Sequence, residues 1–157
     1  MNPKRLQLLL LIFSGLICFS IFNFSNQPAK DSKQVSHSIT KKVVESLPWA
    51  QKLSEPEKEK LIQDIHSPIR KAAHFTLYFL LGMSITGFFV LQFTSLKQAV
   101  FLAALFCLFY GVLDEVHQIF VPGRSGEIRD VLIDFLGGLA GSLLMALLMK
   151  IKRKKPL

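Results

Sequence analysis

Four stretches of this chain are apolar at nearly every position, and each is long enough to cross a bilayer. The first is Leu6 to Phe24, preceded by Lys4 and Arg5; residues 6–29 contain no Asp, Glu, Lys or Arg. Residues 72–96 are equally free of those four types and carry His74 near their start. A third stretch runs from about Gln98 to Val121 and a fourth from about Val131 to Met149. Roughly twenty apolar residues span the hydrocarbon core as one helix, and only helices or closed barrels satisfy their backbone there. Alternation of period two is absent, which excludes a barrel. The expected fold is therefore all-α: a polytopic membrane protein, a four-transmembrane-helix bundle. A cleaved signal peptide would also begin with Lys4 and Arg5. Here, however, the apolar run is longer than a signal core, and no small-x-small site ends it. An uncleaved anchor is expected.

The polar positions gather mainly between the first and second stretches. Residues 26–40 are rich in Ser, Lys and Gln and read as mobile. Ser54-Glu55-Pro56-Glu57 has the form of a capping box with proline in the first turn. Leu61, Ile62 and Ile65 then mark a short amphipathic helix. Ser67-Pro68 reads as a second cap, opening the next span. A partly helical extracytoplasmic segment, lying on the membrane as a lid or connector, is expected between helices 1 and 2. The chain divides accordingly into an N-terminus (1–5), helix 1 (6–24), this segment (25–67), a core with helices 2–4 (68–148) and a basic tail (149–157).

Composition agrees with this pattern. Half of the 157 residues are apolar and 19% are charged, values that fit neither a disordered chain nor an ordinary soluble domain. The net charge of +8 could suggest nucleic acid, but its location does not. Lys4, Arg5, Lys97, Lys150, Lys152, Arg153, Lys154 and Lys155 fall on one side of the four spans, and Arg124 and Arg129 on the other. Positive residues collect in the cytoplasm, so both termini are expected there, in a multi-pass protein of the cell membrane. The lipid bilayer is the expected partner, and nucleic acid is not. Cys18 and Cys107 lie inside apolar runs and offer neither a disulfide framework nor zinc spacing.

Ionisable groups at membrane depth are costly and point to function by default. In this topology Lys71, His74, Asp114, Glu115, Gln118, Arg124, Asp130 and Asp134 all fall in one layer at the outer face. Arg70, His74 and Tyr78 are spaced i, i+4, i+8 and form one helical stripe; Asp114 with Gln118, and Asp130 with Asp134, are i, i+4 pairs. Asp114 and Glu115 point about 100° apart, so one faces the bundle and the other the loop or interface. Arg124 has a planar fork suited to a carboxylate or phosphate. Two readings stay open: a ligand site, or polar glue between helices. Gly82, Gly137 and Gly141 read as close-packing positions. His117 and Arg129 read as interfacial residues outside the site.

These residues resemble a family. Arg70-Lys71-Ala72-Ala73-His74-Phe75 with Tyr78 and Leu81-Gly82, then Asp114-Glu115-Val116-His117-Gln118 with Phe120-Val121-Pro122-Gly123-Arg124, then Asp130, Asp134 and Gly137 are similar to three motifs of VanZ-like membrane proteins, over about residues 68–148. The resemblance implies a link to the envelope and to tolerance of the glycopeptide teicoplanin, without remodelling of the peptidoglycan precursor. Two positions depart from the family pattern: Asp134 stands where an Asn is common, and Leu77 where a Glu is common.

Function is read three ways. A ring of acid, His and Arg at the lipid–water boundary suits binding of a cell-envelope amphiphile, such as a lipid-linked precursor or a lipoglycopeptide. Alternatively His74, Asp114, Glu115 and Asp134 offer a general acid and base, or a carboxylate–histidine metal site, for a membrane-embedded enzyme, or the chain could be a structural subunit. No catalytic residue, cofactor or metal is assigned, since no HExxH-like spacing is present.

The topology predicts a labelling pattern. In a variant lacking Cys18 and Cys107, single cysteines at Ser32 and Ser125 should react with an impermeant thiol reagent on intact cells, and one at Lys155 should not. Labelling at Lys155 with protection at Ser125 would invert the orientation.

Overall fold

The computed structural model describes residues 2–92 and 95–154. Phe93 and Thr94 of the second apolar stretch, and Lys155 of the basic tail, lie outside the described residues, as do the side chains of Lys152, Arg153 and Lys154. The described residues form five α-helices, a short 3-10 turn and no strand. They are α1 (Pro3–Ser25), α2 (Ala29–Ser46), the 3-10 turn (Ala50–Lys52), α3 (Glu55–Val90), α4 (Leu96–Ile119) and α5 (Ile128–Lys154). α1, α3, α4 and α5 each contain a window long and apolar enough to span a membrane. The protein is a multi-pass membrane protein built as a helical bundle.

Local chemistry sets the helix starts. Asn2 accepts the Lys4 N–H at 3.0 Å, with Pro3 in the first turn of α1. The expected capping box opens α3: the Ser54 N–H and hydroxyl donate to Glu57 Oε2 at 2.8 and 2.6 Å. Ser95 accepts the Gln98 N–H at the start of α4.

Two expectations for the polar segment are corrected. Most of residues 26–40 is helical, as the first part of α2. Ser32, Ser36, Thr40 and Val44 recur every fourth residue and form its buried face. The Ser36 and Thr40 hydroxyls donate to carbonyls one turn back, at 2.9 and 2.7 Å. With its hydroxyl satisfied locally, such a side chain packs as a small residue, so the polar composition conceals an amphipathic helix. Val44 then meets Ala50 and Ile62 in a small core. Ser67-Pro68 does not open a new helix either. α3 runs unbroken through Pro68. Proline removes one N–H and leaves the carbonyl four residues earlier without its partner. That carbonyl belongs to Asp64, an exposed residue on the part of α3 that water can serve.

The centre of the bundle is a seam between α3 and α5, which run in the same direction. A Cβ on Gly82 would overlap the Gly138 carbonyl; one on Gly141 would overlap that of Phe79; one on Gly137 would lie 2.5 Å from that of Phe75. Small residues let two membrane helices touch backbone to backbone. Ser142 reinforces the seam, donating to Gly138 O at 2.8 Å and Gly82 O at 3.3 Å. α1 and α4 close the core around Ile17, Ile21, Tyr78, Leu81, Ile85, Ala103 and Cys107. α1 is fixed to α3 by the Ser14–Ser84 hydroxyl pair at 2.9 Å.

Gly141→Leu should therefore lower the thermal midpoint in detergent and the yield of folded protein, by at least the roughly 1–3 kcal/mol typical of overpacking. Gly15→Leu serves as the contrast: a Cβ there meets nothing within 4 Å, and the midpoint should hardly move.

Candidate functional site

The seam repeats a near-constant register. Lys71 pairs with Asp130, 59 residues on, and Ser142 reaches Gly82 across 60. The same offset sets His74 against Asp134, with Nδ1 and Oδ2 3.9 Å apart. α4 supplies Asp114, Glu115 and Gln118 from its last turns, all buried. Thus α3, α4 and α5 bring their polar residues to one end of the bundle. A small cavity of about 20 Å³ opens there, walled by Arg70, Lys71, His74, Glu115, Gln118, Arg124, Asp130 and Asp134. Tyr78, fully buried, lies one turn along from His74.

Within this cluster many groups are already satisfied. The Lys71 ammonium is held by Asp130 and, at 3.6 Å, by Glu127. Asp114 and Glu115 diverge as their spacing requires. The Asp114 carboxylate accepts the Ser25 hydroxyl of α1 at 2.8 Å, and Glu115 accepts the Glu127 N–H of the loop at 2.8 Å. Gln118 Nε2 bridges the two acids at 3.1 and 3.2 Å.

Arg124 is also committed. Pro122-Gly123 form the middle of a turn closed by the Arg124 N–H to Val121 O at 3.1 Å. Gly123 has φ 76°, the left-handed value that this turn favours glycine for. The turn aims the guanidinium at the end of α1. Nε and Nη2 donate to the carbonyls of Gln27 and Phe24 at 3.0 and 2.9 Å, and Nη1 to Gln118 Oε1 at 3.1 Å. Burial, then the charge of Arg70, lowers its pKa, yet a guanidinium stays charged. Arg124 therefore ties α1 to α4 and makes no ion pair with Asp114, Glu115 or Asp130.

Other groups are not satisfied. Asp134 Oδ2 and the Tyr78 hydroxyl are buried without a hydrogen-bond partner among the described residues. His74 makes no hydrogen bond among the described residues and approaches Asp134 only at 3.9 Å. Arg70 faces the cavity with no ion pair among the described residues. The spacing puts Arg70 in the polar layer, on the stripe of His74 and Tyr78, but the residue types favour Lys71 and not Arg70 as a site member; the structure sets both on the cavity wall. Ser25, at the end of an apolar run, carried no signal at all. The His117 ring packs tilted against Phe22, with centroids 4.8 Å apart, and Arg129 is exposed; neither lines the cavity.

A second cavity, of about 170 Å³, lies beside the first between α2 and α3. It is lined largely by apolar groups, among them Val35, Ile39, Ile69 and Leu77. Arg70 and His74 belong to the walls of both cavities.

Comparison with protein families finds a match to the model described as VanZ/LLP1 over residues 10–149, most of the chain. No curated protein and no solved structure matches it. The matched range takes in α1 and the polar segment as well as the three motif-bearing helices.

Arg124→Gln should lower the unfolding midpoint by the equivalent of at least about 1.5–3 kcal/mol, the loss for one hydrogen bond to a charged group. It should also sharpen protease cleavage in the α4–α5 loop. Arg129→Gln, at an exposed position, should stay within about 0.5 kcal/mol.

Proposed function

The chain belongs to the VanZ/LLP1 family, and on that premise we propose that it binds a membrane amphiphile with an anionic head at the outer membrane face. The observation that carries this reading is the shared wall. Arg70 and His74 border both the polar cavity and the apolar groove, so a ligand whose tail lies in the groove would set its head against Arg70 at the mouth of the polar cavity, outside its water-sized interior. Arg70 suits the head because its guanidinium makes no ion pair among the described residues, although Glu115, Asp130 and Asp134 share its cavity, and its fork matches phosphate or carboxylate oxygens. The groove beside it suits an acyl or polyprenyl chain, each buried CH₂ contributing about 0.8 kcal/mol.

The remaining polar residues take supporting parts. Lys71 with Asp130, and Arg124 with Gln118, hold α1, α3, α4 and α5 at the spacing that keeps the two cavities adjacent. The sequence departures bear on the same wall: Leu77, where the family often has Glu, lines the groove and keeps that side apolar. A lipid-linked envelope precursor and a lipoglycopeptide of the teicoplanin type both have the required form. Binding of either would change tolerance to the drug without altering the precursor.

Protein extracted in mild detergent should retain an anionic amphiphile, measured by mass spectrometry of the bound lipid fraction. Arg70→Gln should reduce the amount at least several-fold, and Ile39→Arg, which sets a charge in the groove, should do the same. Expression should raise tolerance to an acylated glycopeptide more than to one without a tail, and Arg70→Gln should erase the difference. Equal lipid retention by wild type and both variants would refute the assignment.

A further inference from the structure

We propose that His74, Asp114 and Asp134 bind a single divalent transition-metal cation between α3, α4 and α5. This inference stands apart from the amphiphile reading and needs neither Arg70 nor the apolar groove.

The three residues come from three helices, and one donor atom of each lies within 4.8 Å of the other two. Ligands about 2.1 Å from a tetrahedral ion stand roughly 3.4 Å apart, so small side-chain adjustments bring all three into range. Two groups at this place have a capacity that no described residue uses. Asp134 is 1% exposed and its Oδ2 has no hydrogen-bond partner among the described residues; the hydroxyl of Tyr78, a fully buried residue that like Asp134 packs near Gly111, is also unpaired among them. A buried carboxylate oxygen without donors is expensive. The nearest basic group, His74 Nδ1 at 3.9 Å, is beyond hydrogen-bond distance.

Charge points the same way. Asp114 and Asp134 face one imidazole, and no Lys or Arg pairs with either among the described residues. Arg124 is turned away to carbonyls and Gln118. Two carboxylates and a neutral imidazole match a dication. Asp114 is already oriented as metal-bound carboxylates are, with its Oδ2 accepting from Ser25 and Gln118 at 2.8 and 3.1 Å. The adjoining cavity of about 20 Å³, bounded by His74 and Asp134, suits one water-sized occupant. One nitrogen and two carboxylates favour Zn²⁺ or Mn²⁺ over a cation of all-oxygen sites such as Ca²⁺ or Mg²⁺. Three protein ligands leave a position for water.

The test uses full-length protein in lipid nanodiscs, with His37→Asn and His66→Asn removing the other accessible imidazoles. After chelator treatment the protein is equilibrated with Zn²⁺ or Mn²⁺, dialysed and analysed for bound metal. One ion per chain is expected, with affinity more than about tenfold weaker in Asp114→Asn and in Asp134→Asn, and with Tyr78→Phe keeping its ion. Failure of the parent protein to retain either metal would overturn the proposal, as would equal retention by both Asp variants. Should those variants fail to fold, pulsed electron paramagnetic resonance of the Mn²⁺-loaded parent protein decides. Coupling to a single imidazole nitrogen supports the assignment, and its absence overturns it.

Discussion

The structure depends on backbone contact between α3 and α5. Lipid tails are as apolar as the side chains they meet, so no hydrophobic drive pulls two membrane helices together. What holds these two is close approach, possible only because Gly82, Gly137 and Gly141 offer no Cβ where the other helix passes. Once the backbones touch, the register is fixed along the whole seam. The contacts that position Gly141 against Phe79 and Gly137 against Phe75 also set Asp134 against His74 and Asp130 against Lys71. The apolar half of the seam thus determines the chemistry of the polar half.

The polar end divides by hydrogen-bond accounting. Lys71, Glu115, Gln118, Arg124 and Asp130 are held by partners within the chain and act as fasteners. Arg70, His74, Tyr78 and Asp134 are held weakly or not at all. Polar groups that serve only cohesion are expected to be satisfied, because an unsatisfied group at membrane depth costs more than its removal would. The satisfied residues fit the cohesive reading, and the unsatisfied ones are those on which the proposed ligand chemistry rests.

Much of the fold was legible in the sequence. Four predominantly apolar runs leave the backbone no other solution in a bilayer, and Ser54 with Glu57 announced the start of α3. α2 was hidden because its buried face is made of Ser and Thr, which read as linker when composition is scanned and as helix only when every fourth residue is compared. Pro68 misled because a proline at a boundary that water can reach need not end a helix. At the site, the layer of polar residues was visible from spacing. The partners of Arg124 were not, since backbone carbonyls at the end of α1 leave no trace in residue type. The approach of His74, Asp114 and Asp134 is a product of tertiary register, and no short motif spans residues so far apart in the chain.

The location of Asp134 on the last helix has a consequence for how the protein is built. Chains enter the membrane from the N-terminus onward, so α3 and α4 are in place before α5 arrives. An aspartate at the centre of a lone spanning helix costs about 2.5–3.5 kcal/mol on insertion, and less toward its end. The long aliphatic remainder of α5 outweighs that cost. His74 and Tyr78 then stand along the groove into which α5 must settle. The order of synthesis thus brings Asp134 to His74 and Asp114 only with the arrival of α5.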